Sequence, residues 1–264
     1  MAIQTDLEDL SGSDGKNTLS IDDVEEIDGN FTINNAVNLA SIQFAALKSI
    51  TGLQLGGLTV LSELSMPQIE TISRLNLTAL PALQQFSFGG DGVAEATNVL
   101  ITNTGLNSLK GLDNLETVES FNVNNNNALQ NVSLSVTSIK NAVKIEANNG
   151  DQSGTAVSFP QLETARNLTF RNCSSVELPS LMNVSDYLGL YGNTFETFVA
   201  SNLTSTGGLV FVDNTALTNI SIPEIMSVNA SCQIANNTML KKIDGIQKLS
   251  VVTASLDFNG NFTE

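Results

Sequence analysis

The stretch Leu203-Thr-Ser-Thr-Gly-Gly-Leu-Val-Phe-Val-Asp-Asn-Thr-Ala-Leu-Thr-Asn-Ile-Ser-Ile-Pro223 contains short apolar beats. Leu209 pairs with Phe211, Leu217 goes with Ile220 and Ile222, and Ile225 with Val228 opens the next copy. Residues two apart share one face of a strand, so each beat reads as a short strand with its apolar side turned inward. None is long enough for a helix.

The central pair returns along the whole chain as Phe31/Ile33, Leu53/Leu55, Leu75/Leu77, Val99/Ile101, Phe121/Val123, Val143/Ile145, Leu168/Phe170, Leu188/Leu190, Leu209/Phe211, Cys232/Ile234 and Leu256/Phe258. First members are separated by 22, 22, 24, 22, 22, 25, 20, 21, 23 and 24 residues. A period in the twenties marks a solenoid, in which no copy buries its apolar face alone and each must stack on its neighbours.

Leucine-rich repeats share this period, and Leu181-x-x-Val184 with Leu188-x-Leu190-x-x-Asn193 approaches their signature. The return path decides between the two folds. After Asn193 come Phe195, Phe198 and Ala200, and after Asn214 come Leu217, Ile220 and Ile222, with no span of helical periodicity. The sequence therefore predicts an all-β fold, a right-handed parallel β-helix with three short strands per coil. Eleven coils stacked ~4.8 Å apart make a rod ~50 Å long.

Residues 1–15 are polar and lack the repeat. Thr5-Asp6-Leu7-Glu8 fits a capping box, so we expect a short helical cap over the first coil, which Leu19 and Ile21 begin. Residues 16–264 read as a single solenoid domain. The chain stops at Asn261-Phe262-Thr263-Glu264 in mid-coil, and the natural polypeptide is expected to continue.

Composition fits a solenoid. Trp is absent, and the twelve Phe fall mostly on inward beats such as Phe44, Phe86, Phe88, Phe195 and Phe198. The net charge is −16 with eleven Lys and Arg, which argues against nucleic acid or an anionic membrane as partner because both need a concentrated positive face. No apolar run is long enough for direct membrane insertion. Asn126, Asn148, Asn193, Asn214, Asn237 and Asn261 each stand five places after their central pair begins, so they are expected to stack at one corner. There Asn would tolerate left-handed backbone and bond turn groups locally. Cys173 occupies the same place in its coil, while Cys232 belongs to a central pair three coils later. At ~14 Å they are too distant for a disulfide and read as small buried apolar residues.

A second set of asparagines forms eleven Asn-x-Ser/Thr sequons, at Asn30, Asn76, Asn131, Asn167, Asn172, Asn183, Asn202, Asn219, Asn229, Asn236 and Asn261. In several the middle residue is apolar. Where it points into the core, alternation turns the Asn outward as a glycosylation site.

Histidine is absent, which excludes Ser-His-Asp and Cys-His nucleophile systems and histidine metal sites. Polysaccharide hydrolases and lyases built as β-helices need clustered carboxylates on one face. The outward columns of the central strand offer no such pair, and Asp22, Asp23, Glu25 and Glu26 read as a solvated charge run. Gly56-Gly57, Gly89-Gly90 and Gly207-Gly208 read as coil corners, not phosphate loops. No cofactor is implied.

The coil of about 22 residues, the Asn-rich corners, the sequon density and the opening Asp6-Leu-x-x-Leu-Ser-Gly12 resemble the extracellular-mutant and sporulation-specific family of fungal GPI-anchored cell-wall proteins. That family's fold is similar to the receptor L domains of the insulin and epidermal growth factor receptors. The resemblance implies a secreted, glycosylated, lipid-anchored protein needed for cell-wall organisation, with wall polysaccharide or a wall or surface protein as partner. It also implies end-cap disulfides, a Ser/Thr-rich stalk and an anchor signal; here Ser13 stands where a cap cysteine is expected. A receptor-like ligand- or glycan-binding module and a polysaccharide-active enzyme remain alternatives. Aromatic platforms for sugars are scarce, with Tyr187 and Tyr191 the only tyrosines.

Most outward positions from residue 122 to 257 are polar or small. The exception is Glu146, Arg171, Tyr191 and Val212 on four successive coils, with Val210 beside Val212. We expect these five residues to form one strip, a candidate partner-binding face in which Glu146 and Arg171 make an ordinary cross-strand pair.

Overall fold

The computed structural model describes residues 17–90, 92–149 and 154–263. The expected cap segment 1–15, with the capping box of Thr5 and Glu8, lies outside them. Every regular element among the described residues is a strand, and every strand pairing is parallel or belongs to a parallel ladder.

One sheet of 13 strands runs the length of the molecule. Its members include Glu26–Asn34, Ser49–Gly56, Thr71–Leu80, Asn98–Thr104, Val118–Asn124, Ser138–Glu146, Thr164–Arg171, Asn183–Tyr191 and Ser205–Val212. Short strands Ser227–Val228, Cys232–Ala235, Val251–Val252 and Leu256–Asn259 complete it. Phe31 stands beside Leu53, Leu53 beside Leu75, and so on through Val99, Phe121, Val143, Leu168, Leu188, Leu209 and Cys232 to Leu256. The central pairs found in the sequence are thus in register over all eleven coils. The reason is physical: a one-residue slip would turn every apolar side chain outward.

The expected three strands per coil appear in a modified form. Two of the beats share one strand that bends at a register shift, as between Val184 and Tyr187. Near the C-terminus the bend separates them, and both Ser227–Val228 and Cys232–Ala235 pair with the single strand Ser205–Val212. The third beat forms smaller sheets on the other side of the coil, for example Asn131–Ser133 with Thr155–Ser158 and Cys173–Glu177.

Inward side chains of all three beats meet in one continuous core. Phe44, Phe121, Phe170 and Phe211 are fully buried, and Phe198 meets Phe211 edge to face at 5.3 Å between ring centres. Burying one such side chain contributes about 1.5–3 kcal/mol, so stability accumulates coil by coil. Leu256 and Phe258 are exposed, since the last coil has a neighbour on one side.

The asparagine ladder is present from Asn126 to Asn237, all buried, whereas Asn261 is exposed on the last coil. Each amide bonds the coil before it. Asn193 donates from its backbone N and from Nδ2 to Asn214 Oδ1 at 3.0 and 2.9 Å, while Asn214 Nδ2 donates to the Leu190 carbonyl at 3.0 Å. Asn237 serves Asn214 and the Phe211 carbonyl in the same way. Thr104 extends the ladder upward by donating to Asn126, and Cys173 interrupts it, giving only its backbone N–H to Asn193.

One expectation about this corner is corrected. The left-handed residue stands one place before the ladder, at Asn35, Gly57, Ala79, Asn103, Asn125, Ala147, Asn172, Gly192, Asp213 and Asn236, with φ between +52° and +65°. The ladder amides themselves point into the coil, and their task is to satisfy buried backbone groups rather than to adopt the turn. Gly207-Gly208 is a second correction. These glycines lie within the strand Ser205–Val212, not in a loop, and a Cβ on Gly207 would stand 2.1 Å from the Asp186 carbonyl oxygen. Both cysteines are free and buried. Burial pushes the Cys173 thiol from its ordinary 9.0 up to about 12 and that of Cys232 up to about 11.

Candidate recognition face

Outward side chains of the long sheet stand in columns set by the same register. Glu146, Arg171, Tyr191 and Val212 are successive neighbours in one column, and Gly189 and Val210 are neighbours in the next. The five residues expected to share a face do share it.

Their contacts differ from expectation. Among the described residues Arg171 closes no ion pair with Glu146. Its guanidinium carbon lies 4.9 Å from the centre of the Tyr191 ring, a cation–π contact. Partial burial pushes the Tyr191 phenol above its usual 10.0, Arg171 opposes that and Glu146 adds to it, so the hydroxyl stays a neutral donor and acceptor. Val210 is buried at 6% exposure and Val212 is half-buried, so the strip is not an open apolar patch.

Beside Val210, over its register neighbour Gly189, lies a residue absent from the expected set. Tyr187 starts two places before Gly189 on the same strand, and Tyr191 two places after it. A Cβ on Gly189 would stand 2.4 Å from Tyr187 Cε1 and 2.7 Å from Tyr191 Cε2, so the two rings converge over the bare backbone there. Gly208, the register neighbour of Tyr187, lies 3.0 Å from Tyr187 Cδ2 by the same construction. Glycine inside a strand weakens it and marks close approach of another group. The Tyr-x-Gly-x-Tyr spacing of Tyr187, Gly189 and Tyr191 was the available signal: alternation puts all three on one face.

Two clefts follow the bend of the long sheet. One of about 180 Å³ is lined by residues including Thr71, Glu95, Thr97, Glu119 and Lys140, and one of about 400 Å³ by residues including Lys140, Thr164, Arg166 and Ser185. Glu119 is engaged by Lys140 at 3.3 Å, and Arg166 lies 3.8 Å from Asp186. Among the described residues no group of three or more His, Cys, Asp or Glu side chains could hold a metal ion.

The sequons line several faces. Asn30, Asn131, Asn202, Asn219, Asn229, Asn236 and Asn261 are exposed, and Asn76, Asn167, Asn172 and Asn183 are half-buried. Three of the half-buried amides are already engaged: Asn172 Nδ2 donates to the Asn148 carbonyl at 2.8 Å, Asn183 Nδ2 to Ser205 Oγ at 2.6 Å, and Asn76 Oδ1 accepts from Thr78 Oγ1 at 2.7 Å. Asn167 is the register neighbour of Tyr187.

Fold and face together define a class: parallel β-solenoids with their assembled surface chemistry on a flat sheet. Comparison with known proteins narrows it. The chain is 41% identical over 258 residues, 97% of its length, to "Protein ecm33" of Aspergillus fumigatus, and 41% identical over 277 residues to "Cell surface GPI-anchored protein" of Arthroderma benhamiae. "Cell wall mannoprotein PST1" of Saccharomyces cerevisiae is 31% identical over 251 residues. The chain belongs to the fungal Ecm33 family of cell-surface proteins. It spans 62% of the Aspergillus protein, 70% of the Arthroderma protein and 55% of the Saccharomyces protein. No family model and no solved structure matches it.

Proposed function

We propose that the chain serves cell-wall organisation at the fungal cell surface, by binding rather than catalysis, through the face of Glu146, Arg171, Tyr191, Val210 and Val212. The observation carrying this reading is that these residues fall in adjacent register on successive coils, with Arg171 stacked on Tyr191. Tyrosine and arginine concentrate at the energetic centres of interfaces. The names of the relatives supply the location, and the GPI-anchored ones among them supply the expectation of a lipid anchor on the whole protein. Its partner is a wall polysaccharide or a wall or surface protein. We assign N-glycans first to the exposed sequons Asn30, Asn131, Asn219, Asn229, Asn236 and Asn261, and after them to Asn202, whose Nδ2 donates to the Pro179 carbonyl at 2.7 Å.

Catalysis is disfavoured by the chemistry of the face. Its acid, Glu146, stands beside a cation, with no second carboxylate at its register neighbours Asn124 and Arg171, or at Asn122, Lys144 and Thr169 in the adjacent column, to act as the partner that glycoside hydrolysis needs. The test is the double substitution Tyr191→Ser with Val212→Ser, which should leave the thermal melt intact while weakening wall association and partner pull-down. Parental binding and a parental wall phenotype would show that this face is not the site.

A further inference from the structure

We propose that Tyr187 and Tyr191 form a two-ring platform on which the sugar rings of an uncharged, β-linked wall polysaccharide stack. The inference rests on the reading of this face as the partner site and names the ligand class.

The two tyrosines are four residues apart on one strand, so their Cα atoms span ~13 Å, and both rings lean inward over Gly189. A strand interior does not otherwise favour glycine at 189 and 208. Here each removes the side chain that would hold a ring off the sheet, and the two half-buried rings meet over bare backbone. The faces of aromatic rings are electron-rich, and the ring C–H groups of a pyranose carry the complementary partial charge. Equatorial β-linkages leave the C–H faces of successive pyranoses accessible, in a flat ribbon when 1,4-linked and along a wide helix when 1,3-linked, and either can lay neighbouring sugars on two rings. Arg171 covers part of Tyr191 and offers remaining N–H groups at the rim, and the Tyr191 hydroxyl stays neutral, so sugar hydroxyls have donors and an acceptor.

The surroundings favour a polysaccharide over a protein. A stable protein interface buries roughly 800 Å² per partner, and the platform's register neighbours are Asn167, Thr169 and Arg171 on one side and Gly208, Val210 and Val212 on the other, of which Val210 is buried and Val212 alone adds part-exposed apolar surface. The sequon at Asn167 is the register neighbour of Tyr187, and a glycan there would crowd a protein partner more than a single extended sugar chain. An anionic ligand is disfavoured by the −16 net charge and by Glu146 at the margin.

The test uses the 264-residue chain secreted from a eukaryotic host, titrated calorimetrically with chitohexaose and laminarihexaose, with α-mannan as control. The parent should bind at least one β-linked hexaose and bind mannan at least tenfold more weakly. Tyr191→Ser should lose at least tenfold, while Tyr187→Phe, which keeps the ring, should stay within threefold of the parent. Gly189→Ala supplies a variant that keeps both tyrosines but places a Cβ where the rings meet, and it too should lose at least tenfold with its melting temperature unchanged. Equal binding by parent, Tyr191→Ser and Gly189→Ala overturns the proposal, as does equal binding of mannan. If binding appears only in Asn167→Gln, the platform is filled by the protein's own glycan, and the wall polymer is not its occupant. No hexaose binding in any form, with partner pull-down still lost in the Tyr191/Val212 double variant, sinks the sugar inference and leaves the function of the face standing.

Discussion

Replacing Asn214 by Ala should be among the costliest single changes outside the apolar core. The side chain is fully buried. Its Oδ1 accepts from Asn193 N and Nδ2 at 3.0 and 2.9 Å, and its Nδ2 donates to the Leu190 carbonyl at 3.0 Å and to Asn237 Oδ1 at 3.1 Å. Truncation takes the partner from the Asn193 backbone N–H and from the Leu190 carbonyl; Asn193 Nδ2 keeps the Phe170 carbonyl, and Asn237 Oδ1 keeps the Asn214 backbone N–H. A buried polar group left without a partner costs about 1–3 kcal/mol, so two of them give about 2–6 kcal/mol. That rivals the whole stability of many domains, which is about 5–15 kcal/mol. Urea unfolding followed by circular dichroism measures it, with Asn38→Ala, at an exposed turn position, as a control expected within about 0.5 kcal/mol of the parent. Asn214→Asp sharpens the test. The carboxyl group can accept from Asn193 as the amide does, but burial raises its pKa above the unfolded value. Its stability is therefore greatest below the unfolded carboxyl pKa and is lost as pH rises through the folded one. An Asn214→Ala loss below about 1 kcal/mol would mean that water satisfies the corner and that the ladder is not a structural device.

Phe211→Ala should cost about 3–5 kcal/mol, because its register neighbours Leu190 and Ile234 are themselves fully buried and cannot close the gap; a melt within about 1 °C of the parent would refute its inward position. Cys173 and Cys232 should resist a bulky thiol reagent in the native state and react after denaturation, and intact mass should not change with reductant. Because burial raises both thiol pKa values from 9.0, to about 12 and about 11, their contribution to stability is complete below pH 9 and falls as pH climbs toward those values, which a denaturation series in alkaline buffers would detect. Ala147→Gly should stabilise the chain by up to about 1 kcal/mol, since alanine there holds φ +52°, where an L-residue loses about 1–2 kcal/mol; a destabilised variant would place the strain elsewhere.

The register of all eleven coils was legible because apolar spacing alone dictates which residues stack, and nothing outside the chain is needed to apply that rule. The ladder was legible for a similar reason, since Asn recurs at one offset and a buried amide must be satisfied. The left-handed position beside it was misplaced by one residue because its occupants are mixed. Asn and Gly favour that backbone, but Ala79, Ala147 and Asp213 hide the pattern. Alternation gave the register of Glu146, Arg171, Tyr191 and Val212 on successive coils, but it gave neither the burial of Val210 nor the lean of Tyr187. Alternation says which side of the sheet a side chain leaves from and not where it leans. Tyr187 leans over Gly189 and Gly208, which leave room for its ring, and spacing alone does not show that Val210 is buried.

A solenoid separates two duties that a globular domain must combine. Inward positions carry stability through apolar stacking and the amide ladder, so outward positions are free to change without loss of fold. On that view a local rule broken on the outward face is informative. Glycine in a strand interior costs roughly 0.5–1 kcal/mol relative to alanine. Gly207 is explained structurally, because the Asp186 carbonyl leaves no space for a Cβ at the bend. Gly189 is not: the atoms that would meet its Cβ are ring carbons of Tyr187 and Tyr191, which a small rotation would move aside. Nothing in the backbone forbids alanine at 189, and what alanine would displace is the arrangement of the two rings. Sites where sequence and local physics disagree are where function is expected to reside, and in this chain that disagreement falls in the middle of the candidate face.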